Sequence, residues 1–312
     1  MNSKVQSLKA FLTSAGQVAL VEVTGTKGST PREKGAFMLV SQAAIFGTIG
    51  GGQLEYMAID KARQMLFSPS RGERTRADPI LPGGFAATLP SRGRESRATL
   101  DVPLGPEIGQ CCGGRVEVLI RLVDAALAAD LVAAAEAEEA HLPRVYIFGG
   151  GHVGQALAST IALLPVHGIV IETRAEALEG MPESVETRLT AMPEAMVRNA
   201  PAGAAFAILT HDHALDFLIV AEALKRGDAA YVGMIGSKTK KATFKNWFLK
   251  SADGSEAEFA RLVSPIGGAA VKDKRPQVIA ALAAAEIMTA LVMHATASNA
   301  DHQVPHDKVM VG

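Results

Sequence analysis

Cysteine is almost missing from this chain: there are two in 312 residues, Cys111 and Cys112, and they are neighbours. Adjacent Cα atoms across a trans peptide lie about 3.8 Å apart, below the usual disulfide range, so the two are not a structural bridge. With no third cysteine to pair with, the disulfide framework of a secreted fold is excluded, and a reducing, intracellular setting is implied. Long apolar runs are missing too. No segment approaches 18 uninterrupted apolar residues, and MNSKVQSLKAFLTSAGQVALVEV has no long apolar stretch before a small-residue cleavage site. A cytoplasmic protein without a membrane partner is expected. Neither sign of charge is in excess, with 31 lysines and arginines against 32 aspartates and glutamates, which argues against nucleic acid as a partner. No internal repeat or low-complexity block suggests an array.

What is present divides the chain in two, as its length suggests. Residues 17–123 read as short strands joined by glycine-rich turns: QVALVEV, GAFMLVS, AIFGTIG, ATLDVPL and RVEVLIRLV. Only QLEYMAIDKARQMLF, from Gln53, has a helical period in this half, so residues 1–123 are expected to form a small α+β domain. The alanine- and glutamate-rich stretch DAALAADLVAAAEAEEAHLP predicts a helical connector over 124–142, ended by a proline. Strands and helices then alternate: RVYIFG, a helix from His152, GIVIET, a helix near Pro193, AAFAILT, a helix from Ala214, AAYVGMIG, a helix from Lys238. That order implies right-handed crossovers and a Rossmann-like parallel sheet over 143–297, an α/β fold. A final helix starts near Pro276, where a missing N–H costs little, and 298–312 reads as a disordered tail. The segment 68–97 carries six arginines against three acids. It reads as a mobile surface loop, with a docking surface as the alternative.

VYIFGGGHVGQALA holds Gly149, Gly151 and Gly154 in GxGxxG spacing, after an apolar strand and at a helix start. Such glycines permit a tight turn, backbone approach to phosphate and close helix–strand packing, while the helix N-terminus attracts an anion. Glu172, at the end of GIVIET, sits near the offset at which an acid binds ribose hydroxyls. A sharp strand-to-helix turn with no ligand would use the same glycines. His152 either faces that ligand or faces solvent at the helix start. THDHALD places His211, Asp212, His213 and Asp216 at the carboxyl end of a strand, as proton carriers, metal ligands or simply helix caps. Gly233, Gly236, Ser237 and the lysines Lys238, Lys240 and Lys241 offer either an anion site or a serine cap beside a solvated basic face. In the first half, Arg32 and the run Gly50, Gly51, Gly52 form a further candidate anion site, since glycine runs let N–H groups converge.

STPREKGAFMLV, GTIGGGQLE, GQCCGGRVEV, FGGGHVGQAL, THDHALD, YVGMIGSKTK and SPIGG follow in this order across most of the chain. Together they resemble the XdhC family of xanthine dehydrogenase accessory proteins. The resemblance implies a molybdenum cofactor chaperone that is not itself an enzyme. Such a protein binds the cofactor in its molybdopterin form and protects it while sulfur replaces an oxygen. It then delivers it to the molybdenum-binding subunit of xanthine dehydrogenase, with a cysteine desulfurase as sulfur donor. The family pattern has one cysteine before the paired glycines, matched here by Cys112; Cys111 is additional. Adjacent strand side chains point to opposite faces, so one thiol alone would face a ligand, and a thiolate is a soft donor suited to molybdenum. Two small buried hydrophobes are the plainer alternative. On the cofactor reading the glycine loops hold the pterin phosphate, Cys112 lies near the molybdenum, and His152 and His213 line the cleft. A nucleotide is a second candidate ligand, and a homodimer is compatible with the arrangement. The rival readings are an NAD(P)-dependent oxidoreductase using the same loop, with Glu172 for its ribose, and a nucleotide-binding regulator.

Overall fold

The computed structural model describes residues 4–67, 96–105, 113–268 and 270–301. Cys111, Cys112 and nearly all of the arginine-rich segment lie outside the described residues. The chain separates into two compact units, Ser3–Ala137 and Glu138 onward.

The first unit contains α1 (Lys4–Ser14), β1 (Ala19–Lys27), β2 (Phe37–Val40), β3 (Ile45–Gly47), α2 (Gly52–Phe67), β4 (Arg97–Pro103), β5 (Arg115–Leu122) and most of α3 (Ala125–Ala140). Its strands form one antiparallel sheet in the order β3-β2-β1-β5-β4. Alternation along the strands sends Val21 and Val23 to a face covered by Leu54, Ala58 and Ala62 of α2, and Leu20 and Leu39 to the opposite face. That second face is covered by Val5 and Leu8 of α1 and by Leu127, Leu131 and Ala135 of α3. Asp124 caps α3, its carboxylate accepting the Leu127 N–H at 2.8 Å. The stretch expected as a connector is thus packed into the first unit's core through its leucines. α1, for which no helical period was expected, buries only Val5 and Leu8, too few apolar positions to stand out in the sequence.

The second unit contains β6 (Arg144–Phe148), α4 (His152–Ile161), β7 (His167–Glu172), a 3-10 turn at Ala175–Leu178, β8 (Glu186–Leu189), α5 (Pro193–Arg198), β9 (Ala205–Ile208), α6 (His213–Lys225), β10 (Tyr231–Met234), α7 (Lys238–Ser251), α8 (Glu256–Ala260), β11 (Leu262–Val263) and α9 (Pro276–Asp301). All strand pairs are parallel, in the order β11-β10-β9-β6-β7-β8. Counted within this unit the order is 3-2-1-4-5-6, the doubly wound dinucleotide-fold order, which reverses between β6 and β9. Strands buried on both faces read as unbroken apolar runs. Val145 and Ile147 of β6 pack toward α4 and α9, while Tyr146 and Phe148 pack toward α5, α6 and α7. α9 is long and apolar enough to cross a membrane, yet it buries Ala280, Ala283, Ala284, Ile287 and Leu291 in the core shared with α4. It also runs to Asp301, into the segment expected as a tail. β8, α8 and β11 were not expected; they are four, five and two residues long, below the length at which a period can be read.

The helix ends at the amino edge of the parallel sheet are tied by two arginines. Arg226 donates to the carbonyls of Val197 and Ala200, at 2.7 and 2.6 Å, closing the end of α5, and is itself held by Asp228. Arg261 donates to the carbonyls of Leu224 and Arg226 at the end of α6. Helix C-termini leave carbonyls without intrahelical partners, and these guanidinium groups supply the missing donors.

Candidate functional site

The strand order reverses between β6 and β9, the place in an open parallel sheet where ligands bind at the carboxyl edge. The four glycines of the loop after β6 differ in what demands them. Gly149 has φ of +109°, and a Cβ there would lie 2.7 Å from the Leu209 carbonyl oxygen, so the two loops pass in backbone contact. A Cβ on Gly150 would lie 2.2 Å from the Ala177 carbonyl, and one on Gly154 would lie 1.9 Å from that of Gly149. Gly151 is different. It caps α4 with an ordinary φ of −67°, donates no side-chain cap, and has nothing within 4 Å of a Cβ position. The fold accounts for three glycines; open space over a helix N-terminus accounts for the fourth, where backbone N–H groups can meet an anion. His152 is exposed at the first position of α4 and lines, with Gln155, Pro276 and Gln277, an open groove of about 520 Å³.

Glu172 ends β7 with its side chain 4% exposed. One oxygen accepts the Gly150 N–H at 2.9 Å and the Arg174 guanidinium at 3.2 Å. The other accepts the Thr173 N–H at 2.8 Å and its hydroxyl at 3.2 Å, with the Arg174 N–H and Nε at 3.3 and 3.4 Å. Burial pushes the carboxyl up, but the Gly150 N–H, Arg174 and Thr173 outweigh it and hold the pKa down at about 2. Six donors exceed the roughly four lone-pair sites of a carboxylate. Glu172 therefore fastens the glycine loop to the end of β7, and its acceptors are spent on the protein instead of standing free for a ribose diol.

The THDH loop separates its members. His211, Asp212 and His213 are exposed; Asp212 caps α6, accepting the Ala214 N–H at 2.8 Å. Asp216 is fully buried, accepting the Thr210 hydroxyl at 2.6 Å and its N–H at 3.1 Å, and pairing with Lys240 of α7. Burial raises the Asp216 carboxyl against the opposing pull of Lys240 and Thr210. Lys240 is itself 8% exposed, so the basic face expected to be solvated has one member in the core. Gly236 leaves room for its stem, since a Cβ there would lie 2.6 Å from Lys240 Cδ. Ser237 caps α7 by accepting the Lys240 N–H at 3.2 Å, and Lys238 is exposed. Asp216, Gly236 and Ser237 thus hold two carboxyl-edge loops together, leaving His211, His213 and Lys238 to face solvent. Among the described residues no group of three or more His, Cys, Asp or Glu could hold a metal.

In the first unit three motifs converge. Gly50, Gly51 and Gly52 all have positive φ, a run that glycine alone adopts readily. A Cβ on Gly50 would lie 2.7 Å from Pro31 and 3.4 Å from the Arg32 stem, so the exposed Arg32 turn sits on this loop. Glu55 of α2 ties the loop from below, accepting the Thr48 hydroxyl at 2.6 Å and the Ile49 N–H at 3.0 Å. Ser29, three residues before Arg32, forms a parallel bridge with Gly113. A Cβ on Gly114 would lie 2.1 Å from the Ser29 carbonyl. The close approach that Gly114 permits is to the chain's own backbone, while Gly113, at φ +66°, has nothing within 4 Å. Cys112 directly precedes this glycine pair in sequence.

Residues 145–287 match the family model described as the XdhC Rossmann domain, and residues 12–75 match that of the XdhC and CoxI family. The chain belongs to the XdhC family. This XdhC chain is 28% identical over 280 residues to the uncharacterized protein YqeB of Escherichia coli K12, spanning 86% of itself and 43% of that relative's length. It also resembles a crystal structure named as a xanthine dehydrogenase from Bacillus halodurans, with a TM-score of 0.71 and 17% identity, covering 94% and 96% of the two chains. At that identity the likeness establishes the fold. Residues that sequence reasoning passed over in this XdhC chain are Thr210, Arg174 and Glu55, each defined by a loop whose path it did not reveal, while Lys240, expected at an anion site or on a solvated face, is buried against Asp216.

Proposed function

We propose that this chain serves xanthine dehydrogenase maturation as a cytoplasmic molybdenum cofactor chaperone, without catalysis of its own. The observation that carries the reading is the convergence, in a chain of the XdhC family, of the Arg32 turn, the Gly50–Gly52 loop and Gly113–Gly114. The Gly50–Gly52 loop and the Gly113–Gly114 pair both pack on the 29–32 turn. The Gly50 and Gly113 N–H groups are spent on Thr48 and Leu104, so the phosphate falls to the Arg32 guanidinium and the N–H groups of Gly51 and Gly52, with a thiol directly before the glycine pair in the chain. Arg32 and the Gly50–Gly52 loop hold the pterin phosphate, and Cys112 supplies the soft donor toward molybdenum. The partners are the molybdenum-binding subunit of xanthine dehydrogenase and a cysteine desulfurase that furnishes the sulfur. A chaperone must release what it holds, so the acceptor provides the tighter site.

The test is reactivation. Protein isolated from cells making the cofactor, mixed with cofactor-free xanthine dehydrogenase, restores its activity; protein loaded with unsulfurated cofactor restores little without a sulfur source. The parallel strand order favours a second reading, a nicotinamide-dependent oxidoreductase. Turnover of a nicotinamide by the chain alone, with no reactivation of the acceptor, would establish that reading and dismiss the chaperone.

A further inference from the structure

The end of β7 carries an asymmetry that the chaperone reading does not use. In this strand order the loop after β6 takes a dinucleotide's pyrophosphate, and the end of the next strand meets its adenosine ribose. The acid at that position, Glu172, is buried and its acceptors are occupied by Gly150, Thr173 and Arg174. Arg174 is the reverse case: its side chain is 41% exposed and directs Nε and one Nη2 hydrogen at Glu172. A guanidinium has five N–H donors, so three remain for a ligand. Glu172 orients the guanidinium from the buried side, and Glu176 adds a second, weaker negative charge nearby, but neither takes up its remaining N–H donors. The handle for a ribose diol is withdrawn, and a cationic fork is left in its place. At the other end of the site, Gly151 leaves open space over the uncapped start of α4.

We infer that the second unit binds an adenine dinucleotide carrying a 2′-phosphate, with Arg174 as the residue that selects it over the unphosphorylated form. The pyrophosphate lies on the N–H groups at Gly151 and His152, and the 2′-phosphate on the free donors of Arg174. Binding alone is meant, with no hydride transfer. The inference rests on the glycine loop being a phosphate cradle and is independent of the molybdenum cofactor proposal.

Calorimetric titration of the full chain with NADPH and with NADH tests it. NADPH binds about tenfold tighter or more, as one added charge-assisted contact implies, and the ratio falls as salt rises. Arg174→Ala brings the ratio to about one, because it removes the fork while Glu172 stays buried and held by Gly150 and Thr173. Arg174→Lys keeps part of the preference, which separates lost charge from a damaged fold. Gly151→Val abolishes binding of both. Equal affinities in the unmodified chain, an unchanged ratio in Arg174→Ala, or no binding of either nucleotide overturns the inference. Such a failure in protein that still carries and delivers molybdenum cofactor leaves the chaperone proposal standing, and NADPH binding without reactivation of the acceptor does the converse.

Discussion

Replacing Glu172 with glutamine removes the charge that holds the glycine loop to β7, and its cost is measurable. The carboxyl titrates at about 2 in the fold against 4.5 as its ordinary value. The side chain is nearly inaccessible to solvent, so little screening applies. A depression of this size contributes about 3 kcal/mol, present in full above the unfolded pKa and lost as pH falls through the folded one. Urea unfolding followed by fluorescence reads it directly, because Trp247 is the single tryptophan and packs on Phe217 and Phe244 in the second unit's core. At pH 7 the variant is expected to be less stable by about 3 kcal/mol, plus whatever the misplaced amide adds. The amide contribution does not titrate, so the signature lies in the slope. Between pH 5.5 and 3.5 the gap between the two proteins should narrow by about 1.4 kcal/mol. A gap below about 1 kcal/mol at pH 7, or one that stays level over that interval, would refute the account of Glu172 as a charged latch.

Gly151→Val should leave stability near that of the unmodified protein, since its φ is ordinary and its surroundings are open, whereas Gly154→Ala should cost about 3 kcal/mol or more through its clash with the Gly149 carbonyl; the same urea titration ranks them. Lys240→Met leaves Asp216 buried without a counter-charge and should cost about 3–5 kcal/mol, much of it recovered in the double variant Asp216→Leu/Lys240→Met. A double-mutant cycle reporting no coupling would show that the pair does not act as one. Cys112→Ala should lower the molybdenum cofactor retained on purification far more than Cys111→Ala, read as molybdenum and pterin content per chain; equal retention in both single variants and the double variant would remove the thiolate from the proposal.

The alternation of apolar runs made the second unit's fold readable, because each buried parallel strand is uniform in burial and each helix opens on a recognisable signal: Gly151, Pro193, Asp212, Ser237, Pro276. Short elements such as β8 and β11 were not readable, being defined by pairing with a neighbour instead of by their own pattern. The candidate site was legible as a set of motifs but not as a division of labour. Asp216 and His213 look alike in THDHALD, yet one lies in the core against Lys240 and the other in solvent. Lys240 sits among lysines of the same local composition, and only the path of α7 past Thr210 and Asp216 singles it out. Glu172 was found by its offset from the glycines, but what it accepts depends on Arg174 folding back over it, a matter of rotamer and not of spacing.

The two arginines at the amino edge decide where a protease can enter. The segment Leu224-Lys225-Arg226-Gly227-Asp228 offers trypsin two basic residues beside a glycine, which in sequence is an inviting place to cut. To be cleaved it must unwind into an extended strand, and that requires Arg261 to release the carbonyls of Leu224 and Arg226 while Arg226 releases the end of α5. One nick there means detaching two helix ends together, those of α5 and α6. Lys272 and Lys274, exposed on the loop before α9 and joined in no comparable clasp, should therefore be cut first within this unit, and the fragment that persists should be the one whose helix ends the arginines keep closed.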